Sequence, residues 1–103
     1  MEYKLLITKE AENDIDEIVA YIVNVLKNPI AAENILTKIE SCFDTIKFNP
    51  HAFPLCTDKR LRENGYRKIT VNNYIVFYRI YDDQDTVYIM RVIYGRREYI
   101  NLI

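Results

Sequence analysis

The chain is 103 residues long, half of them apolar and 28% charged, with a formal net charge of −1. That length holds one domain around one main core, and that apolar share argues against a disordered chain. No apolar run approaches the roughly 20 residues that span a bilayer. The start MEYKLLITKEAE lacks a charged stretch followed by a long apolar one. A cytoplasmic protein without a membrane partner is expected. Its two cysteines, Cys42 on a helical apolar face and Cys56 in a loop, are expected to stay free thiols.

The near-zero net charge conceals an asymmetry. Residues 1–57 carry five lysines, no arginine and nine acids, a net of −4; residues 58–103 carry nine basic residues against six acids, a net of +3. The acidic half reads as solvated helix surface. The other half holds every arginine, the residue suited to forked contacts with carboxylates and phosphates.

Tyr3 to Ile7 is a short apolar run, expected to form a first strand. Thr8 suits the N-cap of a helix, with Glu10 and Glu12 in its first turn. Ala11, Ile15, Ile18, Val19, Ile22, Val25 and Leu26 then recur at helical steps and predict one buried stripe ending near Lys27. Asp14, Asp16, Glu17 and Asn24 fall on the expected solvent face. Asn28-Pro29 opens a second helix, whose stripe is Ala32, Ile35, Ile39, Cys42, Phe43 and Ile46. The short break makes the two helices antiparallel neighbours. Residues 49–64, with two prolines and no clear period, read as an ordered loop with one helical turn.

From Tyr66 to Tyr99 three aromatic-rich apolar runs are separated by Asn72-Asn73 and by Asp82-Asp83-Gln84-Asp85. These are strand signals bounded by turn residues, and they predict an antiparallel meander at 66–71, 74–81 and 86–94. The tail after Gly95 is too short for an independent helix and reads as a strand extension or a single turn. The result is an α+β sandwich: an N-terminal strand, an antiparallel helical hairpin and a three-stranded meander. The sheet face away from the helices, rich in tyrosine and arginine, reads as a binding surface rather than a second core.

Catalytic signals are sparse. The one histidine, His51, stands in a loop without partners at metal spacing, and two glycines cannot supply a phosphate loop. No metal or organic cofactor is expected. Nine tyrosines and the arginines remain. Tyr74, Tyr78 and Tyr88 are read as cross-strand packing residues. Arg67, Lys68, Arg96 and Arg97 cluster at the sheet's ends. Arg79 and Arg91 either join them or neutralise acids within the fold, since the register of the second hairpin is not fixed by a four-residue turn.

DIDEIVAYI in the first helix, NPHAFP, GYRKI, YIVFYRI and VYIMRVIYGRREY together resemble the RelE/ParE superfamily of bacterial type II toxins, also known as plasmid stabilisation proteins, over about residues 3–100. The resemblance implies a toxin neutralised by a cognate antitoxin. RelE-like members cut messenger RNA on the ribosome, and ParE-like members bind and inhibit DNA gyrase. Ile75 departs from the RelE-like pattern, which carries an arginine there, while Arg97 and Arg67 match cationic positions of it. Gly95-Arg96-Arg97-Glu98 and the long hairpin resemble ParE. The ParE-like branch, a gyrase inhibitor rather than an enzyme, is therefore favoured. An endoribonuclease using Arg67, Arg97, Tyr94 and Tyr99 on ribosome and mRNA is the alternative, and a degenerate toxin that only binds antitoxin a third reading. A sequence pI of about 5.8 also suits a polyanion-binding nuclease poorly. The expected target- or antitoxin-binding set is Arg67, Lys68, Arg79, Arg91, Tyr94, Arg96, Arg97 and Tyr99.

Overall fold

The computed structural model describes residues 2–103. Strand β1 (Lys4–Ile7) leads into helix α1 (Lys9–Asn24), helix α2 (Pro29–Phe48), a short helix α3 (Lys59–Glu63) and strands β2 (Tyr66–Val71), β3 (Tyr74–Tyr81) and β4 (Thr86–Tyr94). Single 3-10 turns lie at Pro50–Ala52, Asp82–Gln84 and Tyr99–Leu102. The meander has the expected bounds. Its first turn places Asn72 at φ 53° and its second Asp85 at φ 49°, left-handed positions that Asn and Asp tolerate better than most residues.

The helix caps follow from the sequence. Thr8 Oγ1 accepts the Ala11 N–H at 3.2 Å, and Asn28 Oδ1 accepts the Ala31 N–H at 3.1 Å. Helix α1 stops without glycine. Lys27 turns left-handed at φ 54°, and the Asn28 N–H reaches back to the Ile22 carbonyl at 3.1 Å. The expected stripe of α2 is buried at all six positions. That of α1 is not. Ala11 and Ile22 are buried and Ile15, Ile18 and Val19 partly so, but Val25 is 62% and Leu26 55% exposed. The hairpin tip runs past the core, and Ile30, 71% exposed, lies there too.

The sheet is mixed rather than purely antiparallel, in the order β1-β4-β3-β2. Strand β1 pairs parallel with β4, from Lys4↔Thr86 to Ile7↔Ile89. The hairpin β3–β4 contains a bulge: Phe77 faces Arg91 and Tyr78 faces Ile89, so Met90 is the extra residue. Tyr74, Val76, Tyr78, Val87, Ile89 and Val92 share the main core with α1 and α2. The other face is not simply a binding surface. Ile75, Phe77 and Ile93 form a second core with Leu61 of α3 and Cys56, and Tyr66, Tyr99 and Ile103 pack against it. Segments too short to show a period therefore cover part of that face.

Candidate partner-binding site

The bulge decides which arginine is available. By strict alternation Arg91 would lie on the helix face; the extra residue turns it to the outer face, where Arg79 also lies. There Arg91 is held. Its Nε and Nη2 donate to the two carboxylate oxygens of Asp14 at 2.7 and 2.9 Å, and Nη1 donates to the Leu102 carbonyl at 2.6 Å. Asp14 Oδ2 also accepts the Val92 N–H at 3.0 Å. Asp14 is thus no solvent-face residue: its side chain is 12% exposed and ties α1 to the bulged strand. The carboxylate raises the Arg91 pKa further above its usual range, against the opposing effect of burial. Arg91 serves the fold.

The remaining candidates are dispersed. Arg67 points to the helix side, Cα-paired with Tyr78, and Nη1 donates to the Phe53 carbonyl. Tyr78 itself is fully buried, its hydroxyl donating to the Pro50 carbonyl at 2.7 Å and its pKa pushed up to about 12 by burial. Arg79 forms no ion pair among the described residues; its guanidinium carbon lies 5.4 Å from the Tyr66 ring centre and 5.3 Å from that of Tyr81. Tyr81 in turn meets Tyr88 edge-on at 5.1 Å. Lys68 is half-buried opposite Phe77. Tyr99 packs against Phe77 in the outer core, with ring centres 5.2 Å apart and the rings tilted by 44°. Arg96 and Arg97 are exposed and form no ion pair among the described residues.

Two candidates do meet. Tyr94 and Arg97 line a groove of about 540 Å³ between α1 and the end of β4. One wall is Asp14, Glu17, Ile18 and Tyr21 of α1 with Leu26 just beyond it; the other is Asn73 of the turn before β3 with Tyr74, Val92, Ile93 and Tyr94. The rings of Tyr74 and Tyr94 meet edge-on at 5.7 Å. Burial raises the Tyr74 phenol, with Tyr94 and Tyr21 adding to the effect. Gly95 closes the sheet end tightly: a Cβ there would stand 3.2 Å from the Asn73 carbonyl oxygen. The result is an aromatic and aliphatic cleft with a free cation, Arg97, on its rim. Tyr21 was missed by the stripe argument, and Leu26 was placed in the stripe as a buried core residue rather than at a groove. Their signal was the run Tyr21-Ile22-Val23-Asn24-Val25-Leu26, apolar on more sides of a helix than one sheet can cover.

The ribonuclease quartet is not gathered. Arg67 pairs opposite Tyr78 and Tyr94 opposite Tyr74, four residues away along β3, or roughly 13 Å at strand rise. Tyr94 lies on the helix face and Tyr99 packs on the outer one.

Among solved structures, the chain resembles the chromosomal ParDE toxin-antitoxin system from P. aeruginosa, with a TM-score of 0.72 and 21% identity over 90% of this chain and 96% of that one. It also resembles the toxin-antitoxin complex RelBE2 from Mycobacterium tuberculosis, with a TM-score of 0.63 and 20% identity over 91% of this chain and 99% of that one. At those identities the likeness shows a shared fold. No curated protein matches the chain in sequence. The family described as "ParE toxin of type II toxin-antitoxin system, parDE" matches residues 5–99. With nearly the whole chain inside that match, the protein belongs to the ParE toxin family of type II toxin-antitoxin systems.

Proposed function

We propose that this toxin acts by binding rather than by catalysis, with DNA gyrase as its target, and that a cognate antitoxin neutralises it. One observation carries the choice: the sheet face on which a ribonuclease would need a cationic cradle is occupied by apolar packing. Ile75, where a RelE-like enzyme carries arginine, is buried in the outer core with Leu61, Phe77 and Ile93. Acid-base cleavage of RNA requires a proton acceptor and several cations converging on one phosphate. Here Arg91 is held by Asp14, Arg79 lies between tyrosines, and Arg67 is turned to the helix side. The groove and its arginine suit a protein partner, since aromatic residues and arginine are the usual anchors of interfaces. The antitoxin partner is supported by the two structural relatives, a toxin-antitoxin complex and a ParDE system.

Paired assays of the free protein test the choice. Gyrase supercoiling should be inhibited while ribosome-bound messenger stays intact, and Arg97→Ala should weaken the inhibition about tenfold if it is an interface anchor. Antitoxin association should slow as salt is raised, because steering toward Arg96 and Arg97 is screened. Codon-specific messenger cleavage, abolished by Arg67→Ala or Arg97→Ala, would overturn the proposal in favour of the ribonuclease. Antitoxin binding with neither activity would leave a degenerate toxin.

A further inference from the structure

Strand β4 is nine residues long, but β1 accompanies it only as far as Ile89. Beyond that point β1 has become α1, and the edge of β4 is completed by side chains and turns instead of a strand. Thr8 donates its N–H and hydroxyl to the Ile89 carbonyl at 3.1 and 2.9 Å, and Asp14 accepts the Val92 N–H.

The register says which backbone groups come next. The Gly95 N–H donates to the Asn73 carbonyl at 2.7 Å, the bond expected on one side of a non-hydrogen-bonded antiparallel pair at Tyr74↔Tyr94. The N–H and C=O of Tyr94 therefore point away from β3. Val92, two residues earlier, does the same, as its bond to Asp14 shows. Four outward groups result. The Val92 N–H is taken by Asp14 and the Tyr94 carbonyl by the Arg97 N–H at 3.0 Å. The Val92 carbonyl and the Tyr94 N–H have no partner among the described residues, and both belong to residues lining the groove.

This pair has a direction. A residue in a parallel strand donates its N–H to one carbonyl and accepts from the N–H two positions later on its neighbour. An antiparallel residue would instead engage both groups of a single residue, and here one group of each is already used. We propose that the groove binds an extended segment of a partner polypeptide as a parallel addition to β4, continuing the line that β1 abandons at Thr8. One partner residue is clamped between the Val92 carbonyl and the Tyr94 N–H. Alternation along a strand turns its two neighbours toward Ile18, Tyr21 and Tyr74, so these should be apolar or aromatic. The segment runs toward Arg97, which calls for a carboxylate on its C-terminal side. This inference rests on the antitoxin reading above and names how the antitoxin is held.

The test is amide hydrogen exchange, with the protein of the adjacent reading frame as the antitoxin probe. In the free toxin the Tyr94 N–H should exchange fast while that of Gly95, bonded to Asn73, is protected. In the complex the Tyr94 N–H should slow at least tenfold. Tyr94→Pro removes the donor without touching the ladder to β3, because that N–H faces away from it. It should weaken the complex about tenfold beyond Tyr94→Ala, which removes only the ring, a loss matching one buried backbone hydrogen bond. Protection of Tyr94 in the free toxin, or a complex in which its exchange is unchanged, would overturn the clamp and leave the antitoxin reading standing. Failure of any complex to form would overturn that reading and the clamp with it.

Discussion

The two sides of the sheet each hold a core and a cysteine, and they are built differently. On the helix side, Ile39 and Ile46 of the twenty-residue α2 meet Val76, Tyr78 and Ile89, all at or near zero exposure. On the outer side, Phe77 and Ile93 are just as buried, but their cover is the five-residue α3 and a single C-terminal turn. That cover is fastened by polar contacts: Arg60 to the Ile100 carbonyl, Arg91 to the Leu102 carbonyl, and Asp58 capping α3 through the Leu61 N–H at 3.0 Å. Equal burial therefore does not mean equal cooperativity. A long helix brings its whole stripe to the core at once, whereas a short cover can lift separately.

Truncation should expose this difference. Ile39→Ala should cost about 2–5 kcal/mol and lower the midpoint of global unfolding, as other large-to-small core changes do. Leu61→Ala removes a side chain as buried as Ile39, yet α3 can partly collapse into the space. A smaller global loss of about 2–3 kcal/mol is expected, with faster amide exchange confined to α3 and the C-terminal turn. Equal losses with no local opening would show the two cores to be one cooperative unit.

The cysteines sharpen the contrast at smaller scale. Burial pushes the Cys42 thiol up to about 11. Cys56 is also raised by burial, but Lys68 and a backbone hydrogen bond offset part of the effect. A thiol whose folded pKa lies above its unfolded value of 9.0 contributes stability that is full below pH 9 and is lost as pH rises toward 11. Tyr78, raised from 10.0 to about 12 in the same core, adds a loss of the same sign from pH 10 upward. Stability should thus decline on the alkaline side, and less so in Cys42→Val, as read by denaturant midpoints between pH 8 and 11. At pH 9, an alkylating probe should modify Cys56 before Cys42.

The same contrast explains what was legible in the sequence. The bounds of the meander and the six buried positions of α2 were readable because period and turn residues agree locally. The stripe of α1 was overextended to Val25 and Leu26, since periodicity gives a face but not the length of core available to cover it. The outer core was invisible: Cys56, Leu61 and Tyr99 lie in segments without a period, brought to Phe77 and Ile93 by tertiary structure alone. Of the residues lining the groove, Arg97 was singled out by its place at the sheet's end and Tyr94 by the family resemblance. Asp14 was misread because a helical wheel shows only neighbouring acids, and its true partners are 77 and 78 residues away. The groove needed the parallel pairing of β1 to β4, a long-range fact with no local signature.

The single extra residue at Met90 also divides β4 into two reading frames. Up to Ile89 the odd-numbered positions face the helices; from Val92 onward the even-numbered ones do. A pattern search or a combinatorial library that assumes one alternation along 86–94 would therefore mistake inside for outside in half the strand. Variation that is tolerated at Tyr88 belongs to the same face as Arg91 and Ile93, not Val92. In this strand, inside and outside change phase where the chain gains its bulge.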